Sequence, residues 1–486
     1  MIVTRGMVKS ISANWLPFSN AASEGLPMGQ LLRLSLFQVS VGMASVMLLG
    51  TLNRVMIVEL GIAATLVAFM VALPVLVAPF RALLGFRSDT YRSAIGWKRI
   101  PYLWFGSLWQ MGGLAIMPFA LIVLSGDQVM GPSWAGEVLA ALAFLMTGLG
   151  LHMTQTAGLA LASDRATDET RPQVVSLLYV MFLVGMGAAA LILGWLLRDF
   201  SQLRLIQVVQ GTAVATMLLN LVALWRQEPV KPMSRAERAA PRPAFREAWA
   251  DLMAGGNAGR LLAVVFLGTM AFNMQDVLLE PYGGEVLGLS VSATTYLTAL
   301  WAAGALAGFV LAGRWLARGM NPYRSASRGL LVGLAAFSAV IFADPMGSPA
   351  LFFAGAGLIG FGGGLFAVAT LMAAMTMPAG GLAGRGLALG AWGAAQATAA
   401  GLSIALGGAL RDGVNVLALS GSLGEAMSTA SAGYTFVYHV EIGLLFVTLI
   451  ALGPLVRTGS SLQTPPMGAN PGKFGPTKIG LADFPT

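Results

Sequence analysis

The sequence predicts an all-α polytopic membrane protein with about twelve transmembrane helices in two six-helix halves. Three observations carry that expectation. Only 10% of the 486 residues are charged and 56% are apolar, whereas soluble domains carry roughly a quarter charged residues. Apolar runs long enough to cross a hydrocarbon core of ~30 Å recur along the chain. They fall into two sets of six around one polar interruption.

Residues 1–35 read as an N-terminal segment with Arg5, Lys9 and Arg33. The first long apolar run starts near Leu36, later and longer than the apolar region of a cleaved signal, so it predicts a retained helix. Spans are expected near 36–58, 62–84, 101–124, 138–162, 173–196 and 205–225, giving an N-terminal half of 36–225. Residues 226–260, rich in proline and charge (Lys231, Pro232, Arg235, Glu237, Arg238, Pro241), form a linker with no run able to cross. The second set, near 261–283, 292–313, 326–343, 348–377, 386–410 and 434–456, gives a C-terminal half of 261–456. The tail, 457–486, with Pro465, Pro466, Pro471 and Pro476, offers too little apolar surface to order itself.

Charge sets the expected orientation. With both termini and the linker in the cytoplasm, all of the 29 lysines and arginines except Arg54, Arg198, Arg204 and Arg411 lie on the inner side, as the positive-inside rule requires. The net charge of +8 therefore addresses anionic lipid rather than nucleic acid. The absence of cysteine excludes disulfides, zinc–thiolate sites and iron–sulfur clusters, and two histidines cannot build a multi-histidine metal centre. There is no Walker loop, nucleophile elbow or His-Glu-x-x-His motif, so no enzymatic activity is expected.

Four groups of residues could carry function. The first is the loop Gly85, Phe86, Arg87, Ser88, Asp89, Thr90, Tyr91, Arg92, continuing through Gly96, Trp97, Lys98 and Arg99. An acid beside a helix end, a glycine turn and a basic cluster can lock helices together by charge-assisted bonds. This loop resembles the signature loop of the major facilitator superfamily, with Gly85, Asp89, Arg92, Gly96, Lys98 and Arg99 as its elements. Gly313 to Gly319 looks like a degenerate partner without the acid. With the six-plus-six arrangement, the resemblance implies the major facilitator fold.

The second group is an intramembrane polar cluster. Asn273, Asp276 and Glu280 follow an i, i+3, i+7 spacing that places them on one face of a continuous helix. Asn53 and Arg54 lie at a similar depth in the first span, so Arg54 is expected to pair with Asp276 or Glu280. The alternatives are an interfacial position for Arg54, with Glu280 ending its helix before Pro281, or a role in transport.

Third, His152, Gln155 and Thr156 make a short polar stripe in the fourth span. His152 could ligate the magnesium of a chlorin pigment or hydrogen-bond to a neighbouring helix. His439, with Tyr434, Tyr438 and Glu441, is expected in an aromatic belt at the outer interface. Fourth, Gly304 with Gly308, Gly360 with Gly364 and Gly386 with Gly390 form small-residue pairs that let helices approach closely.

Several segments resemble one narrower family. They are Gly50 to Leu60 (GTLNRVMIVEL), Ala78 to Asp89 (APFRALLGFRSD), His152 to Ala162 (HMTQTAGLALA) and Asn273 to Gly284 (NMQDVLLEPYGG). They resemble the bacteriochlorophyll-delivery (PucC/LhaA) branch of the major facilitator superfamily. The stretch Ala21 to Pro27, followed by Leu31 to Val39, looks more like the LhaA type. The resemblance implies an assembly factor for light-harvesting antenna complexes in a photosynthetic bacterial inner membrane, handling bacteriochlorophyll as a transient ligand. Its partners would be antenna polypeptides and bacteriochlorophyll-synthesis enzymes. The alternatives are a secondary transporter with Asp276 and Glu280 as proton-coupling acids, or a pigment-free scaffold. The tenth span, about Pro349 to Met377, holds no acid, which weighs against a proton-driven carrier.

Overall fold

The computed structural model describes residues 21–461, apart from residues 24, 54, 57–61, 63, 126–131, 133, 198–200, 235–242, 255–256, 290, 378–381, 423, 425–428 and 430. Every regular element among the described residues is helical. Twelve of these helices are long and apolar enough to cross a membrane. The first six are Met28–Leu52, Phe69–Asp89, Ile100–Leu124, Ala135–Arg165, Arg171–Leu196 and Gln202–Leu224. The second six are Asn257–Glu285, Ala299–Ala317, Pro322–Ala343, Pro349–Met375, Arg385–Leu419 and Ala432–Arg457.

Local chemistry marks several of these ends. Proline occupies the first or second position of the helices that start at Ile100, Arg171, Pro322 and Pro349, where its missing N–H costs nothing. Asn321 Oδ1 accepts from the Tyr323 N–H at 2.8 Å, and Ser348 Oγ accepts from the Leu351 N–H at 3.3 Å. Both satisfy donors that a helix leaves free at its start.

Several boundaries differ from the sequence expectation, among them the second span, which ends at Asp89 rather than near 84. The first helix opens at Met28 rather than near 36, and its far end winds as a π-helix over Val46–Leu52. The residues before it pack rather than hang free: Ala21 and Leu26 are fully buried, and Arg165 donates to the Gly25 carbonyl (2.6 Å) and to Gln30 Oε1 (2.7 Å). The linker contains a helix, Phe245–Ala254, and the seventh span begins at Asn257. The tail from 462 onward lies outside the described residues.

The two halves are wired alike. The third span packs on the fourth as the ninth does on the tenth, and the first packs on the fifth and sixth as the seventh does on the eleventh and twelfth. Between the halves, Phe80–Asp89 of the second span lies against the eleventh, and the eighth lies against the fifth. Both contacts are related by the same internal pseudo-symmetry. The glycine pairs mark the closest approaches. Gly304 and Gly308 face tenth-span backbone, and Gly360 and Gly364 face eighth-span backbone. Gly386 and Gly390 face the carbonyls of Gly85 and Arg81, so this pair serves the contact between halves.

The expected outer aromatic belt is instead a buried cluster. Tyr434, Tyr438 and Glu441 are fully buried, with Tyr282 packed edge-on to both tyrosines at 5.5 and 5.6 Å. Only His439 faces outward, bonding back to the Thr435 carbonyl.

Candidate functional site

The loops rich in lysine and arginine define one face of the bundle, here the basic face, where a polar lock joins the halves. Asp89, at the end of the second span, accepts from the backbone N–H groups of Gly386 (2.9 Å) and Leu387 (2.8 Å). These are free donors at the start of the eleventh helix, where a carboxylate is favoured both by hydrogen bonding and by the helix dipole. Arg99, which is 3% exposed, uses all its guanidinium nitrogens. Nη2 donates to Asp89, Nη1 to Ser88 and Nε to Asp164 at 3.0 Å. Burial alone would lower its pKa, but Asp164 and Asp89 outweigh that and hold it above the ordinary arginine value. Arg385 completes the set through the Ser163 carbonyl (3.3 Å) and Asp164 (3.8 Å).

Glu228, just past the sixth span, accepts from the backbone N–H groups of Lys98, Arg99 and Ile100 at 3.0–3.2 Å, capping the third helix. The Lys98 side chain itself is exposed. Gly96 turns with φ of 85°, and the Lys231 carbonyl stands where its Cβ would be, so only glycine suits the turn. Arg92 lies half-buried on the same loop. The linker helix closes the lock from outside: Phe245 meets Phe86 edge-on at 5.4 Å, and Asp251 accepts from the Ala383 N–H at 3.1 Å. The structure brings Gly85, Asp89 and Arg99 together on this face. It adds Ser88, Asp164, Arg385 and Glu228, whose partners are too far away in sequence for spacing to reveal.

The predicted intramembrane cluster is rearranged. The seventh span is not one continuous helix. Its α-helix ends at Asn273, a 3₁₀ turn covers Met274–Val277, and a second helix runs over Leu279–Glu285. The i, i+3, i+7 face therefore does not exist as expected. The cause is tertiary: Glu441, fully buried on the twelfth span, accepts from the Gln275 N–H at 2.7 Å, holding a donor that the break frees. The other Glu441 oxygen, Gln275 Oε1 and the Tyr438 hydroxyl are buried without a partner. Asp276 is exposed and accepts from Gln275 Nε2. Asn53 and Asn273 are half-buried. Arg54 and the Glu280 side chain lie outside the described residues, and with them the expected pair.

His152 is half-buried, and its Nε2 lies 2.9 Å from the Pro74 carbonyl of the second span. This is the hydrogen bond between helices, the second of its two readings. With Nε2 engaged, His152 does not fit as a ligand for a pigment magnesium through that nitrogen. Below it lies a side chain that sequence reasoning misses. Arg81 is 2% exposed and donates from Nε to Thr156 at 3.0 Å. The sequence expectation ends the second span near 84, which puts Arg81 beside the helix end. The helix, however, continues from Phe80 to Asp89, which places Arg81 about two turns inside.

A model of the PUCC protein family matches residues 51–460. The chain belongs to the PUCC protein family. It is 64% identical over 486 residues, covering 100% of both chains, to a protein of Rhodobacter capsulatus described as an uncharacterized protein in the puhA-bchM intergenic region. It is 54% identical over 84% of its length, and 90% of the relative's, to protein PucC of Rhodovulum sulfidophilum. A more distant relative, 29% identical over 79% of this chain and 87% of its own, is the bacteriochlorophyll synthase 44.5 kDa chain of Rhodobacter capsulatus. Among solved structures, a bacterial homologue of the iron transporter ferroportin in the outward-facing state superposes with a TM-score of 0.68 at 17% identity, covering 89% of this chain and 99% of the other. The proton:xylose symporter XylE gives 0.63 at 15%, covering 88% and 95%. The chain thus has the major facilitator fold.

Proposed function

We propose that this protein is an assembly factor for light-harvesting antenna complexes that presents bacteriochlorophyll to antenna polypeptides in a bacterial inner membrane, with both termini cytoplasmic. The observation that supports it most is kinship along nearly the whole chain with PucC proteins of purple bacteria, together with a relative named for bacteriochlorophyll synthase. No covalent chemistry is assigned to the protein. The fold offers a place for transient shielding: a groove of about 600 Å³ between the first, fifth and sixth spans. Its lining is mostly apolar, including Met43, Ile192, Trp195 and Val208, with Arg204 and Gln207 among the polar groups. A flat apolar ring system or a single-span helix is accommodated on such a surface by shape and dispersion, without a histidine ligand.

The test is deletion of the gene in its native host. Loss of the antenna absorption bands of the membranes, with antenna transcripts unchanged, is the expected result; intact bands overturn the proposal. Purified protein carrying bacteriochlorophyll absorption supports pigment handling, and pigment-free protein bound to antenna polypeptides supports the scaffold reading instead. Alternating-access transport is the second reading. The lock on one face favours it, because its polar contacts can break and reform. Solute uptake into proteoliposomes that depends on Asp276 would select it.

A further inference from the structure

Arg81 is set apart from the other buried arginines by what it lacks. Its Nε is held by Thr156, and its Nη2 is buried with no hydrogen-bond partner. No carboxylate pairs with it among the described residues; the ionisable neighbours it feels are Tyr179 and His152. A guanidinium taken out of water without a counter-charge is one of the costliest arrangements a membrane interior can hold. It persists where something else supplies the anion.

The surroundings place this charge at the contact between the halves. Gly390 and Gly393 of the eleventh span carry no side chain where the Arg81 backbone and guanidinium lie against them, so the charge sits directly on the seam between the halves. The lock of Asp89 with Gly386 and Leu387 closes that seam toward the basic face. On the other side, the Tyr179 hydroxyl donates to the Ala367 carbonyl of the tenth span across the seam at 3.4 Å, and Tyr179 and Gln396 are both half-buried. One positive charge, a planar fork of donors and adjoining aromatic and apolar walls suit a singly charged carboxylate on an amphipathic body better than a multiply charged phosphate.

We propose that Arg81 is an anion subsite on the seam between the halves, binding the carboxylate of an amphipathic monocarboxylic acid. This goes beyond the assembly reading and can fail or stand independently of it.

The full-length protein in a non-ionic detergent is titrated with 1-pyrenebutyrate, its methyl ester and 1-pyrenebutylamine, with thermal unfolding and pyrene fluorescence as readouts. The acid alone is expected to raise the Tm of the wild type. Arg81→Met is expected to weaken acid binding at least tenfold while raising the ligand-free Tm, and Arg81→Lys to fall between. Equal shifts from acid and ester in the wild type overturn the proposal, and this arm holds even if a variant fails to fold. Undiminished acid binding by folded Arg81→Met overturns it too. A comparable shift from inorganic phosphate alone would replace the amphipathic carboxylate with a small anion and sink the ligand assignment.

Discussion

Arg99 and Arg81 are both buried, both lie at the contact between the halves, and both touch the eleventh span, yet they hold their charge in opposite ways. Arg99 spends its nitrogens on Asp89, Ser88 and Asp164. Arg81 has one bond, to a neutral hydroxyl. The difference separates a cation that builds structure from one that waits for a partner. Where a buried charge is saturated, its removal exposes unpaired acids. Where it is unsaturated, its removal relieves the fold. The Glu441 region sits between these extremes, with one oxygen committed to the Gln275 N–H and the other without a partner.

The largest effect is expected from breaking the saturated side. Arg99→Leu strands Asp89 and Asp164 and is expected to cost about 3–5 kcal/mol, seen as a collapse of Tm and of expression in membranes. Arg81→Met without ligand is expected to act with opposite sign, stabilising by about 1–4 kcal/mol. If both substitutions destabilise alike, the contrast between the two arginines is broken. Gly390→Val sharpens it from the partner's side: a side chain there meets the Arg81 carbonyl, and overpacking of this kind costs about 1–3 kcal/mol, measurable by thermal unfolding. Glu441→Leu leaves the Gln275 N–H unsatisfied and is expected to cost about 1–3 kcal/mol, while Glu441→Gln, which keeps an acceptor, costs less. The smallest change is expected for Asp168→Asn. That residue is itself exposed, and asparagine keeps an acceptor oxygen for Arg171, so the change is expected to stay below about 1 kcal/mol.

Much of the architecture is legible in the amino-acid sequence alone. The composition and the two sets of apolar runs specify a helical membrane protein, because twelve spans of sufficient length leave little else to build. The acid and the base of the lock stand out through the spacing from Gly85 to Arg99. Their partners do not: Asp164 and Glu228 reach the loop from far along the chain, and no local pattern encodes that. Arg81 is hidden because a basic residue near a loop reads as interfacial until the helix end is located. The seventh span misleads for a different reason. Periodicity assumes an unbroken helix, and the Glu441 carboxylate on another span stabilises a break that periodicity cannot register. Gly386 and Gly390 announce a close approach without saying to what, and the answer, the second span of the other half, is what gives the pair its importance.

The contact between Gly85, Arg81 and the glycines of the eleventh span also has a mechanical meaning. Backbone carbonyls rest against glycine positions with no flexible side chain in between, so the seam cannot compress or yield by degrees. Sliding the eleventh helix by one residue would drive the side chains of Leu387 and Ala391 toward those carbonyls. Only a pivot that lifts the two surfaces apart would separate them without that clash, so the contact is a hard stop.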